Sequence, residues 1–254
     1  MSIDLIKART QAEAHYASPS HRANSDSLRE LIATQTKTLK RLHLALDLEG
    51  VLVNTPFPRE LYSSNKERLK RPLAQELLDL LRTHAKQLTI WTASSGEVTE
   101  GIMQSSGLIL PAGVKIIDRN RYILSLLREN TGGVGDLIWK IEHGEMELPS
   151  GTPEEIISHI KSCRAKIPKA LSVDYLFDDD AGKHKEACTA LGFPEDAVKI
   201  MHVPPFELEN IDTIENHQED LGILEVGQTI QQFPAQETLL QQLLRRIGLK
   251  SISS

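Results

Sequence analysis

The chain has 254 residues, enough for one α/β domain with insertions or for two small domains. Its formal net charge of −6 and pI of about 5.9 exclude a broad electrostatic attraction to nucleic acid. Apolar residues make up 40% and aromatic residues 4%, so a core is expected, and it must be built mainly from aliphatic side chains.

Residues 1–24 are polar and weakly patterned. Ser27 with Glu30 reads as a capping box, and Leu28, Leu31, Ile32 and Leu39 follow at helical spacing, which predicts an amphipathic helix over 28–41. A short apolar run then predicts a buried strand over 43–47 that ends at Asp47. Residues 54–71 read as irregular, with Pro56 and Pro58. Their basic stretch of Lys66, Arg68, Lys70 and Arg71 reads as a solvated face or as a device that steers an anionic substrate. Pro72 suits the first turn of a helix whose apolar face is Leu77, Leu78, Leu80 and Leu81. A strand is predicted over 88–92, a helix over 96–106 and a strand over 114–117.

Residues 118–150 show no period and read as a small insertion. Gly132, Gly133 and Gly135 lack the Lys-Ser/Thr pair of a phosphate loop, so they read as a flexible turn. Thr152-Pro153-Glu154-Glu155 starts a helix. A strand over 173–177 runs into Asp178-Asp179-Asp180, a helix over 183–191 ends at Gly192, and a strand occupies 198–203. Residues 205–233 are acidic and read as loop, and a leucine-rich helix over 235–247 closes the pattern.

Strands alternating with helices predict an α/β fold with a doubly wound, mostly parallel sheet. The expected organisation is a polar segment and helix over 1–41, then a catalytic domain over 42–254. Cys163 and Cys188 form no CxxC pair, and the histidines make neither HExxH nor HxH, so no zinc site is expected and both thiols read as reduced. No apolar run is long enough to span a membrane, and the first residues lack the apolar stretch of a secretory signal. The expected compartment is the cytoplasm.

In a doubly wound sheet the site lies beyond the carboxyl ends of the strands. Asp47, Thr92 and Asp178 to Asp180 all fall at predicted strand ends. An aspartate can attack phosphorus and form an aspartyl-phosphate that water then hydrolyses. Attack by a carboxylate on a phosphate dianion is repulsive without a cation. Mg²⁺, bound by one or two carboxylates, relieves that repulsion. A threonine hydroxyl and a lysine ammonium would hold the phosphoryl oxygens.

Asp47-Leu48-Glu49-Gly50-Val51-Leu52-Val53 resembles the first motif of the haloacid dehalogenase superfamily. Leu88-Thr89-Ile90-Trp91-Thr92 resembles its second motif, and Tyr175-Leu176-Phe177-Asp178-Asp179 its fourth. Arg71-Pro72-Leu73, with the helix leading into Trp91-Thr92, is similar to the RNA polymerase C-terminal-domain phosphatase branch. The resemblance implies a Rossmann-like sheet with a small cap and an Mg²⁺-dependent phosphatase that acts on a phosphorylated substrate, phosphoprotein included. It implies Asp47 as nucleophile and metal ligand, the Glu49 carbonyl as a further ligand, and the Glu49 side chain in the acid/base position. It implies Thr92 at the phosphate. Asp178 and Asp179 are the favoured metal ligands, with Asp179 and Asp180 the other pair. Lys140 is the favoured phosphate-binding lysine, with Lys161 and Lys169 as rivals. Glu49 stands where the family has aspartate, which motivates the alternative of a catalytically weak relative kept as a binding or regulatory protein.

Overall fold

The structure, a computed structural model, describes residues 18–55, 68–119, 121–122, 166–190, 192–206 and 221–233. Lys66, Lys140, Lys161, Cys163, the three glycines at 132–135, the Thr152 helix start and the helix expected over 235–247 lie outside the described residues. So does most of the expected insertion.

Helices α1 (Pro19–Thr34) and α2 (Thr36–Leu39) precede strand β1 (His43–Leu46). Then come α3 (Ala74–His84), β2 (Gln87–Trp91), α4 (Gly96–Ser106) and β3 (Lys115–Ile117). A 3-10 turn at Pro168–Leu171 leads into β4 (Tyr175–Asp178), α5 (Ala181–Ala190), α6 (Pro194–Ala197), β5 (Ile200–His202) and α7 (Gly222–Gln231). The strands form one sheet in the order β3-β2-β1-β4-β5, and every neighbouring pair is parallel. This is the doubly wound, Rossmann-like α/β class that the alternation of elements predicts. The strand order reverses direction between β1 and β4, which makes their carboxyl ends the crevice of the fold.

The three central strands are mostly buried because both faces of the sheet are covered, whereas the edge strands β3 and β5 are partly exposed. Leu44, Leu46, Leu88, Ile90 and Phe177 point into a core shared with Leu28 and Ile32 of α1, Leu77 and Leu81 of α3, and Ile223 and Ile230 of α7. The alternate residues Ala45, Trp91, Leu176 and Ile200 point the other way, onto Ala181 and Cys188 of α5. Aliphatic side chains supply most of both cores.

Two expectations are corrected. The first helix begins at Pro19, not at the Ser27 box: Ser18 caps it by accepting from the His21 N–H at 3.2 Å, and proline occupies its first turn. Ser27 is interior to the helix and donates to the Ala23 carbonyl. Residues 222–231, read as loop, form α7. Its buried Ile223, Val226, Gly227 and Ile230 recur at helical spacing, which the acidic residues before them obscured. Gly227 lets α1 approach closely, since a Cβ there would lie 3.0 Å from Leu28 Cδ1. A smaller shift affects α3, which starts at Ala74 with Pro72 just outside it.

The basic stretch also reads differently in three dimensions. Arg68 and Arg71 are buried, so for these two neither a solvated face nor a steering patch holds. Arg71 donates to the Gly50 carbonyl at 3.1 Å and lies over the Phe206 ring, tying the turn after β1 to the chain beyond β5. No helix among the described residues is long and apolar enough to cross a membrane.

Candidate active site

The parallel ladder between β1 and β4 pairs Leu46 with Phe177. It continues one step further, where the Asp47 N–H donates to the Phe177 carbonyl at 2.9 Å. Asp47 is thereby set beside Asp178, the last residue of β4. Asp179 follows at the same edge. One carboxylate oxygen from each of Asp47, Asp178 and Asp179 lies within 4.8 Å of the others. Gly50, at φ 81°, makes room for the third: a Cβ there would sit 2.2 Å from Asp179 Oδ2. The turn after β1 therefore needs glycine for both its backbone angle and its missing side chain.

Lys166 stands between two of these acids. Its ammonium is 2.8 Å from Asp47 Oδ2 and 2.7 Å from Asp178 Oδ2, and all three side chains are buried or nearly so. Sequence reasoning missed this residue. Of the lysines it weighed, Lys140 and Lys161 lie outside the described residues. Lys169 is exposed, faces Glu195 at 3.9 Å and does not enter the site. The available signal was a lone lysine ahead of Ile167-Pro168, at the entrance to the 3-10 turn before β4. His184 of α5 completes the support. The Lys166 backbone N–H donates to His184 Nδ1 at 3.1 Å, so Nε2 carries the ring proton and faces Asp178 Oδ2 at 3.4 Å.

These contacts separate the carboxyls. Burial, aided by the charges of Asp178 and Asp179, raises Asp47 well above the usual carboxylate range and outweighs Lys166. Burial also opposes the charge on Asp178, but Lys166 and His184 outweigh it and hold Asp178 well below that range. Asp179 has less help from Lys166, so burial and the neighbouring Asp178 push it up to about 6. Burial disfavours the charge on Lys166 too, yet Asp178 and Asp47 raise it above the ordinary lysine value. The cluster holds more acid than base, and it consists of hard oxygen donors. That fits a divalent cation such as Mg²⁺.

The other expected residues divide. Thr92 is buried at the end of β2, where its N–H donates to the Ile117 carbonyl and its hydroxyl accepts from the Ser94 N–H at 3.0 Å. Glu49 is buried, and its side chain is held by Arg68 and Ser94. Asp180 is exposed, pairs with Lys183 and is not one of the three clustered acids, though its N–H donates to Asp178 Oδ1 at 2.8 Å. Of the two alternatives for the aspartate pair, the geometry brings Asp178 and Asp179 to Asp47. Cys188 donates a long thiol contact to the Lys166 carbonyl, and burial pushes it up to about 12, so it is an unreactive thiol.

No family model matches the chain, and no curated protein matches it. Among solved structures it is similar to the HAD domain of the effector protein Lem4 from Legionella pneumophila, solved as an inactive mutant. The identity is 14% and the TM-score 0.31, over 73% of this chain and 98% of that one. A likeness so slight carries no argument, and nothing in these comparisons points to the RNA polymerase C-terminal-domain phosphatase branch.

Proposed function

We propose that this chain is an Mg²⁺-dependent phosphatase of the haloacid dehalogenase type, hydrolysing a phosphate monoester, phosphoprotein included, through an aspartyl-phosphate on Asp47. The observation that carries the reading is the convergence of Asp47, Asp178 and Asp179 on one point, with Lys166 bridging the first two. Asp47, Asp178 and Asp179, with the Glu49 carbonyl, would hold the cation. When bound, Mg²⁺ supplies the positive charge that lets a carboxylate approach a phosphate dianion.

The protein's own groups do the rest. Asp47 attacks phosphorus, and the bond from phosphorus to the leaving oxygen breaks. Lys166, bonded to the nucleophile in the resting site, neutralises charge on the phosphoryl oxygens. Thr92, at the end of the neighbouring strand, orients those oxygens. Water then attacks phosphorus, releasing inorganic phosphate and returning the Asp47 carboxylate. The alternative of a binding or regulatory protein without catalysis is less well supported, because it gives no reason for three acids and a buried lysine to meet at the strand ends.

The test is hydrolysis of p-nitrophenyl phosphate by wild type and Asp47→Asn, with and without Mg²⁺. Turnover that needs Mg²⁺ and is lost in the variant is expected. A folded wild type inactive across metals and pH, or a fully active Asp47→Asn, would sink the reading.

A further inference from the structure

Glu49 follows Asp47 by two residues, where a side chain that protonates the departing oxygen would be sought. Its contacts give it another role. Oε1 accepts from Arg68 Nη2 at 2.9 Å, and Oε2 accepts from the Ser94 hydroxyl at 2.6 Å. The Arg68 side chain has no exposed surface, and its backbone N–H donates to Ser105 Oγ of α4 at 3.0 Å, so the residue is fixed at its main chain as well. A proton on Oε1 would meet a guanidinium N–H, which cannot accept it. A proton on Oε2 would require the Ser94 bond to reverse. Both oxygens are thus used as acceptors by protein donors.

We propose that Glu49 is a positioning residue that fixes Arg68 and Ser94 rather than a proton donor, and that the site selects phosphoryl groups carried on weakly basic oxygens, as in phenol esters and acyl phosphates. The inference rests on the Asp47 phosphatase reading. As Asp47 bonds to phosphorus, the leaving oxygen keeps the electron pair of the broken bond and departs as a phenolate or carboxylate, which solvent protonates if its basicity requires. An alkoxide is too basic to leave in this way.

The experiment measures kcat/KM, with Mg²⁺, for p-nitrophenyl phosphate, phenyl phosphate, acetyl phosphate and glycerol phosphate, in wild type and Glu49→Gln. A glutamine can still accept from Arg68 and can donate to Ser94. In wild type, glycerol phosphate is expected to be at least roughly 100-fold poorer than p-nitrophenyl phosphate, about the weight of a missing general acid, with phenyl phosphate between them. In Glu49→Gln any loss should fall on all substrates by a common factor, leaving the ratios unchanged. Acetyl phosphate turned over as readily as the nitrophenyl ester supports the acyl arm, and its resistance removes that arm alone. Glycerol phosphate within about tenfold of p-nitrophenyl phosphate in wild type overturns the proposal. So does a selective collapse of glycerol phosphate turnover in Glu49→Gln, which would make Glu49 the acid. If no substrate is turned over by folded wild type, the Asp47 reading fails and this inference with it.

Discussion

Lys166 separates Asp47 from Asp178, and its loss would leave two buried carboxylates facing each other without a cation. Breaking a buried pair by removing one partner costs about 3–5 kcal/mol. Lys166→Met is therefore expected to lower Tm substantially in metal-free buffer and to regain part of the loss with Mg²⁺. Its phosphatase rate should fall about 10²–10³-fold, as when one preorganised donor to a phosphoryl oxygen is removed. Thermal melts with and without Mg²⁺ check the first point, and p-nitrophenyl phosphate kinetics the second. An unchanged melt would mean that Lys166 is not the cation that neutralises this cluster. At this scale the acids were legible in the sequence and their cation was not. Asp47 and Asp178 announce themselves because each follows a short apolar run. A lysine reached through a turn has no period to mark it, and burial of Arg68 and Arg71 is likewise invisible in a run of basic residues.

The turn between β1 and the residues that pair back onto it is the element on which the site depends. Gly50 N–H bonds to the Val53 carbonyl, the Phe206 N–H bonds to the Gly50 carbonyl, and Asp179 fills the space that a Cβ would take. Gly50→Ala forces an L side chain into left-handed backbone, at about 1–2 kcal/mol, and pushes the Asp179 carboxylate aside. The variant should fold with a lowered Tm but lose Mg²⁺-dependent turnover more completely than that destabilisation explains. Full activity in Gly50→Ala would show that Asp179 is not needed where it lies. The five strands were readable to within a residue or two, the central ones because buried parallel strands are nearly continuous apolar runs. Helices fared less evenly. The start of α1 was misplaced because residues 19–27 are mostly polar, and the buried apolar contacts of the helix come later, at Leu28 and Ile32. The apolar face of α7 is only one short stripe following an acidic stretch.

Across the whole molecule, the site couples stability to both metal and pH. Asp179, held at about 6, and Asp47, raised above the usual carboxylate range by burial, bind protons more tightly in the folded protein than in the unfolded chain. Between the ordinary carboxylate value and these raised values the folded state carries more protons, so the metal-free protein loses stability from this source as pH rises. Asp178 acts oppositely. Its depressed value means that its contribution is present above the ordinary carboxylate value and is lost only in strong acid. His43, at the other end of β1, is lowered by burial despite its bond to the Ser172 carbonyl. Its contribution is present above the ordinary histidine value and is lost as pH falls through the lowered one. A raw stability profile mixes these terms, but the difference in Tm with and without Mg²⁺ at each pH cancels His43. Near pH 7.5, Mg²⁺ at about 100 times its Kd should add about 2.7 kcal/mol, or on the order of 5–10 °C in Tm. That increment should shrink as pH falls through about 6, because Asp179 and Asp47 must give up their protons to hold the cation. In Asp179→Asn the increment should be smaller at pH 7.5 and less dependent on pH. A Mg²⁺ increment that is absent, or that is flat with pH in wild type, would mean that the three acids do not act together as a cation site.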